Sequence, residues 1–144
     1  DTAGNTLPET SYTIRVEDVA EPSVINQNII TQGNQIRSAV GAETLTGTIG
    51  EVDIFDFNTI ADGDDTLVNF TLADQDRLDL SDVLSYASSD NLSNFLSVTD
   101  DGADVSMAID ANGDGSGTDL TLTLSGLGDG SVTLSDLEAH LIVI

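Results

Sequence analysis

Twenty-six acidic side chains stand against three arginines and no lysine in this 144-residue chain, a formal charge of -23 at pH 7. A compact state carrying that excess repels itself. Either the chain stays loose, or something cationic completes it. The acids gather in short runs laced with glycine and asparagine: Asp62-Gly63-Asp64-Asp65, Asp74-Gln75-Asp76, Asp79 to Asp82, Asp100-Asp101-Gly102, and Asp110 to Asp119. Apolar residues still make up 39% of the chain, more than acidic disordered tails contain, so there is a core to bury. Nucleic acid and anionic membrane are excluded as partners, because both require basic patches. No stretch approaches the roughly 20 apolar residues of a membrane span. With no cysteine there is no disulfide to brace the fold, and divalent metal is the obvious substitute.

The apolar pattern sets the fold class. From Gly41 to Phe57 it comes as short pulses, Leu45, Ile49, then Ile54, Phe55 and Phe57, separated by Gly41, Gly47 and Gly50. Leu67 to Phe70 and Arg77 to Leu80 continue the rhythm at intervals of roughly ten residues, the spacing of short strands in an all-β fold or a solenoid. Helical turns interrupt it. Leu80, Val83, Leu84 and Ala87 fall at i, i+3, i+4 and i+7 with Ser81 as N-cap, and Asp90 caps a second turn carrying Leu92, Phe95 and Leu96. Thr133 caps a third, with Asp136 three residues on. None is long enough to stand alone, so each must pack on the sheet. Upstream, residues 1–10 read as linker, 11–19 as a half-buried strand and 24–30 as a weaker one. The N-terminus shows no signal peptide and no initiator Met, as expected of a piece of a longer polypeptide.

The clearest local structure is a hairpin. Val105, Met107 and Ile109 alternate with polar residues, as do Leu120, Leu122 and Leu124, the period of a half-buried strand. The loop between them is longer than hairpins need, which marks it as functional. In it Asp110, Asn112 and Asp114 stand at positions 1, 3 and 5 with Gly115 at 6, the start of an oxygen-rich calcium loop. The glutamate that an EF-hand carries at position 12 is missing, since Thr121 stands there, and the flanks are strands. Ser116 offers a further oxygen, and Asp119 can close the site from across the hairpin. Calcium (Ca2+) is the expected ion, against a merely solvated acidic turn.

Asp62, Asp64 and Asp65 in one turn, and Asp74, Asp76, Asp79 and Asp82 in the next series, are less specific metal candidates. Crowded carboxylates raise each other's pKa unless a cation sits between them. Glu43 and Asp53 are weaker still. His140, the lone histidine, reads as filling a helix end. No phosphate loop or nucleophile elbow is present, and the six aromatics read mostly as core, so no catalytic activity is expected.

The residues then become recognisable as a series. The stretch Gly41 to Gly50 (GAETLTGTIG) followed by Asp53 to Phe57 (DIFDF) resembles the closing, degenerate repeats of RTX proteins, usually worded close to GADTLTGTAGADVFVF. Asp65 to Phe70 and Arg77 to Leu84 are similar to blocks of the type I secretion C-terminal target domain, which also carries an Asp/Asn/Gly hairpin loop like Asp110 to Asp119 and an apolar end. Glu43 departs from the usual Asp, the interval to Asp53 is one residue longer, and no intact GGxGxDxUx repeat is present. The resemblance implies a degenerate RTX β-roll or β-sandwich over 23–80, leading into a secretion-target region over 81–144. Residues 1–22 would be a linker or the tail of a preceding Ig-like module. It implies a non-catalytic segment of a large Gram-negative adhesin, secreted or held at the cell surface and monomeric, with upstream modules of the same polypeptide as neighbours. Its partner would be the type I apparatus of ABC exporter, membrane fusion protein and outer-membrane channel. The chain would stay unfolded in low-calcium cytosol and fold on calcium outside. The alternative is a calcium-dependent module that binds carbohydrate or another surface ligand.

Overall fold

The computed structural model describes residues 33–144. The linker or Ig-like tail expected over 1–22, and the strands expected over 11–19 and 24–30, lie outside the described residues. In chain order the strands are β1 (Asn34–Arg37), β2 (Thr44–Thr46), β3 (Asp53–Asp56), β4 (Asp65–Val68), β5 (Arg77–Asp79), β6 (Leu96–Asp100), β7 (Val105–Ile109) and β8 (Leu120–Ser125). A single-turn helix, α1 (Leu134–Leu137), precedes the last strand, β9 (Leu141–Ile142). The described chain is all-β with short helical turns, as its sequence predicts.

The strands form two sheets, of four and five strands, ordered β1-β3-β5-β9 and β2-β4-β8-β7-β6. From β1 to β5 the chain crosses to the other sheet at every step, so each strand lies parallel to the one two before it. It then stays in the second sheet for the antiparallel run β6-β7-β8 before returning to the first as β9. The stretches before and after residue 80 therefore share both sheets, through β8 on β4 and β9 on β5.

Register follows the apolar pulses, because a one-residue slip would turn each strand's apolar face to solvent. In one sheet Phe55 pairs with Ile36 and Leu78, and Leu78 with Leu141. In the other, Leu67 pairs with Leu45 and Leu124. Both rows belong to a single buried cluster, in which the Phe55 and Phe70 rings lie 5.8 Å apart. Each such Leu or Phe contributes ~1.5–3 kcal/mol by leaving water. That is the favourable side against which the acidic repulsion works.

Two expected caps belong to neighbouring residues. Ser81 does not cap the turn after β5. Asp79 Oδ1 accepts from the Ser81 N–H at 3.1 Å and its hydroxyl at 2.7 Å, because a carboxylate two residues further out reaches the exposed donors. Likewise the turn Leu92–Asn94 is capped by Asn91, whose Oδ1 takes the Ser93 N–H at 3.1 Å. Asp90 instead reaches back to the Ala87 N–H at 2.9 Å. At α1 the expected capping box forms, with Thr133 N–H donating to Asp136 at 2.8 Å.

Candidate metal loop and turn carboxylates

The loop between β7 and β8 is wound around its own side-chain oxygens. Asp110 stands at the foot of β7, only 9% exposed. Its Oδ1 accepts the Gly113 N–H at 2.9 Å and its Oδ2 the Gly115 N–H at 2.8 Å. Asn112 Oδ1 accepts from the Asp114 N–H at 2.9 Å, and Asp114 Oδ1 from the Ser116 N–H at 2.7 Å. These are successive Asx turns, which Asn and Asp form because the short side chain reaches the N–H two residues on. Asp119 closes the loop from across the hairpin, accepting the Ala111 N–H at 2.9 Å while its own N–H bonds the Ile109 carbonyl at 2.8 Å. The Ser116 hydroxyl and N–H, with Asn112, hold the Asp114 carboxyl below its ordinary range. At Gly113 φ is 67°, and a Cβ would come within 2.6 Å of the Phe95 ring, so only glycine fits between loop and core.

Chemically the loop offers hard oxygen donors, the carboxylates, the Asn112 amide oxygen and the Ser116 hydroxyl, with no sulfur and no imidazole. A carboxylate offers about four lone-pair positions, so one accepted N–H per oxygen leaves room for a cation. Calcium takes six to eight oxygens and accepts amide, carbonyl and water among them. The residues present fit that ion. Among the described residues no three Asp, Glu or His side chains are already drawn into a metal-holding cluster; the loop orders its oxygens through backbone donors.

The earlier carboxylates close the turns between the two sheets. Asp53 and Asp76 directly precede Ile54 and Arg77, which pair across β3 and β5, and both are fully buried. Asp76 accepts the Asp53 N–H and the Thr71 N–H, each at 2.8 Å. Asp53 accepts the Thr48 N–H at 2.5 Å and the Asn34 amide at 3.0 Å. On the opposite edge buried Asp65 takes the Ser38 hydroxyl and the Glu43 N–H, each at 2.7 Å. Asp62, also buried, takes the Asn58 N–H at 2.8 Å. Asp64 is exposed and bonds the Thr121 N–H at 2.7 Å, tying its turn to β8. Asp79 serves as the cap already described.

Burial pushes the Asp65 carboxyl up, helped by the nearby Glu43 and Asp62 charges. Burial does the same at Asp76, helped by Asp53 and Asp74. Among the described residues the salt bridge of this region is Arg37 with Asp56, Nη2 lying 2.6 Å from the carboxylate. His140 ends the turn before β9 with Nδ1 2.7 Å from the Asp76 carbonyl oxygen, the structural role its sequence position predicts.

Asp100 is the residue that the sequence undervalues. Its carboxylate accepts N–H groups from Gly102, Asp129, Gly130 and Val132 at 2.8–3.2 Å. The Val132 bond, with those of Gly102, Asp129 and Gly130, brings its pKa down to about 2. The Asp-Gly run around it was visible, but its partners lie about thirty positions further along. Compared with protein-family models and with curated proteins, the chain matches none.

Proposed function

We propose that residues 33–144 are a non-catalytic, calcium-completed module of a secreted or cell-surface RTX protein of a Gram-negative bacterium, exported by a type I apparatus and folded outside. The observation that carries the proposal is the order of the loop from Asp110 to Asp119. Its side chains wind it into successive Asx turns, yet no basic group offsets their charge among the described residues. Asp110, Asn112, Asp114 and Ser116 would hold the ion, with Asp119 closing from β8. The turn carboxylates Asp53, Asp62, Asp64, Asp65, Asp76 and Asp79 are the next places for a cation, foremost around Asp65 and Asp76, where burial leaves charge uncompensated. The to-and-fro path of β1 to β5, which lays each strand parallel to the one two before it in alternating sheets, supports reading the first half as a degenerate RTX β-roll.

Calcium, when bound, supplies the positive charge that the chain lacks, and its binding free energy becomes folding free energy. In low-calcium cytosol the carboxylates repel one another and the chain stays extended enough to pass an ABC exporter and its outer-membrane channel. At the near-millimolar calcium typical of extracellular modules, the turns close on their aspartates and the apolar rows assemble.

The direct test is Asp110→Ala combined with Asp114→Ala, followed by calorimetric calcium titration and thermal melting. Calcium affinity is expected to fall and the melting temperature in calcium to drop by roughly 5–10 °C, the equivalent of about 1–2 kcal/mol in a domain of this size. Unchanged affinity and melting temperature would remove the loop as the site.

A further inference from the structure

An open cleft of about 650 Å³ lies between the segment 86–93 and α1. Its volume is within the range of small-molecule sites, and nothing in the calcium chemistry uses it. Tyr86, Leu92 and Leu134 give it apolar surface, and Ser89, Asp90, Asn91, Ser93, Ser135 and Glu138 give it a polar rim. The walls are fixed in place. The Tyr86 ring stands edge-on to Phe95, centroids 5.5 Å apart at 84°, and Phe95 is itself buried against Gly113. Asn91 is held by the Ser93 N–H and hydroxyl at 3.1 and 2.8 Å, and Asp90 by the Ala87 N–H. The Thr133–Asp136 bonds fix the start of α1.

The polar groups that remain are mixed in kind. Among the described residues, the Asn91 amide N–H groups, the Ser89 and Ser135 hydroxyls, the Tyr86 hydroxyl and the Glu138 carboxylate have no side-chain hydrogen-bond partner. Two carboxylates repel an anion. An ammonium group only donates, so it would engage the carboxylate and hydroxyl oxygens and make no use of the exposed Asn91 N–H groups. An apolar ligand would displace water from this exposed rim without replacing its hydrogen bonds. A sugar ring has hydroxyls that both donate and accept, and an apolar face to lay against Tyr86 and the leucines. We infer that this cleft is a binding site for a neutral saccharide, with Glu138 accepting from ring hydroxyls, Asn91 donating to them and Tyr86 supplying the stacking face. This inference is independent of the calcium reading.

The test is an NMR titration of the calcium-supplemented chain with glucose, galactose, mannose and N-acetylglucosamine, with glucosamine and glucuronate as charged controls. Saturable shifts confined to residues 86–93 and 134–138 are expected with at least one neutral sugar. Glu138→Ala, an exposed substitution, is expected to weaken binding about tenfold, and Tyr86→Ala to do so with the melting temperature in calcium as its folding control. No saturable shift with any neutral sugar overturns the inference. So does tighter binding of glucosamine that is lost with Glu138→Ala, which would mark an ammonium site, or binding that both variants leave unchanged.

Discussion

Single aspartates in this chain do opposite work, and their environments decide which. Asp100 takes four backbone N–H groups and is held at about 2, while Asp65 and Asp76 are buried beside other carboxylates and pushed above 3.8. The linkage signs differ accordingly. A depressed carboxyl stabilises the fold at pH values above its unfolded pKa, and that stability is lost as pH falls through the folded value. A raised carboxyl contributes stability below its unfolded pKa and loses it as pH rises through the folded one. In calcium-free buffer, acidification from pH 7 toward 3.8 should therefore stabilise the fold as Asp65 and Asp76 take up protons. Further acidification toward pH 2 should destabilise it as Asp100, Asp101, Asp114 and Asp136 are neutralised, all of them lowered by hydrogen bonds. Thermal melts across that range check the non-monotonic profile, and Asp65→Asn with Asp76→Asn should flatten its upper limb. Gly113→Ala, with a positive φ and a Cβ driven into Phe95, should cost about 1–3 kcal/mol in chemical denaturation.

At the scale of elements, latches between distant turns matter more than any helix. Asp100 fastens the β6–β7 turn to the segment 126–132, so Asp100→Ala should lower the melting temperature and release amide protection at Gly130 and Val132 in hydrogen exchange. β9 is a latch of another kind. Leu141 pairs with Leu78, and the Ile142 carbonyl accepts the Leu80 N–H at 2.8 Å. Removing residues 141–144 should destabilise the fold by at least ~3 kcal/mol, from lost burial and ladder bonds, measurable by urea denaturation. Tests of export should therefore alter exposed side chains rather than truncate. The hairpin β7–β8 was legible in the sequence because its period of two is local and unbroken. So was the Asp110 loop, whose spacing carries its own geometry. Strand β6 was not, because Leu96 also fits the helical spacing of Leu92 and Phe95. Nor was the alternation between sheets, since nothing local in Leu45 or Phe55 says which sheet each joins. The caps slipped by one or two residues because Asp79 reaches the Ser81 N–H and Asn91 the Ser93 N–H, while Asp90 turns back to Ala87.

For the molecule as a whole, a charge of -23 is met chiefly by backbone N–H groups and, among the described residues, by the Arg37–Asp56 pair. Backbone donors satisfy oxygens without cancelling charge, so the two-sheet core must work against its own repulsion until a cation arrives. Sodium chloride should relieve only the exposed part of that repulsion, since buried pairs are poorly screened. Divalent calcium at the turns should relieve both parts. The decisive measurement is a calcium titration of the chain followed by far-ultraviolet circular dichroism, with magnesium in parallel. Saturable growth of β-structure with calcium at up to millimolar concentration, and little with magnesium, is the predicted result. An equal β signal in chelator and in calcium would contradict the claim that calcium completes this fold.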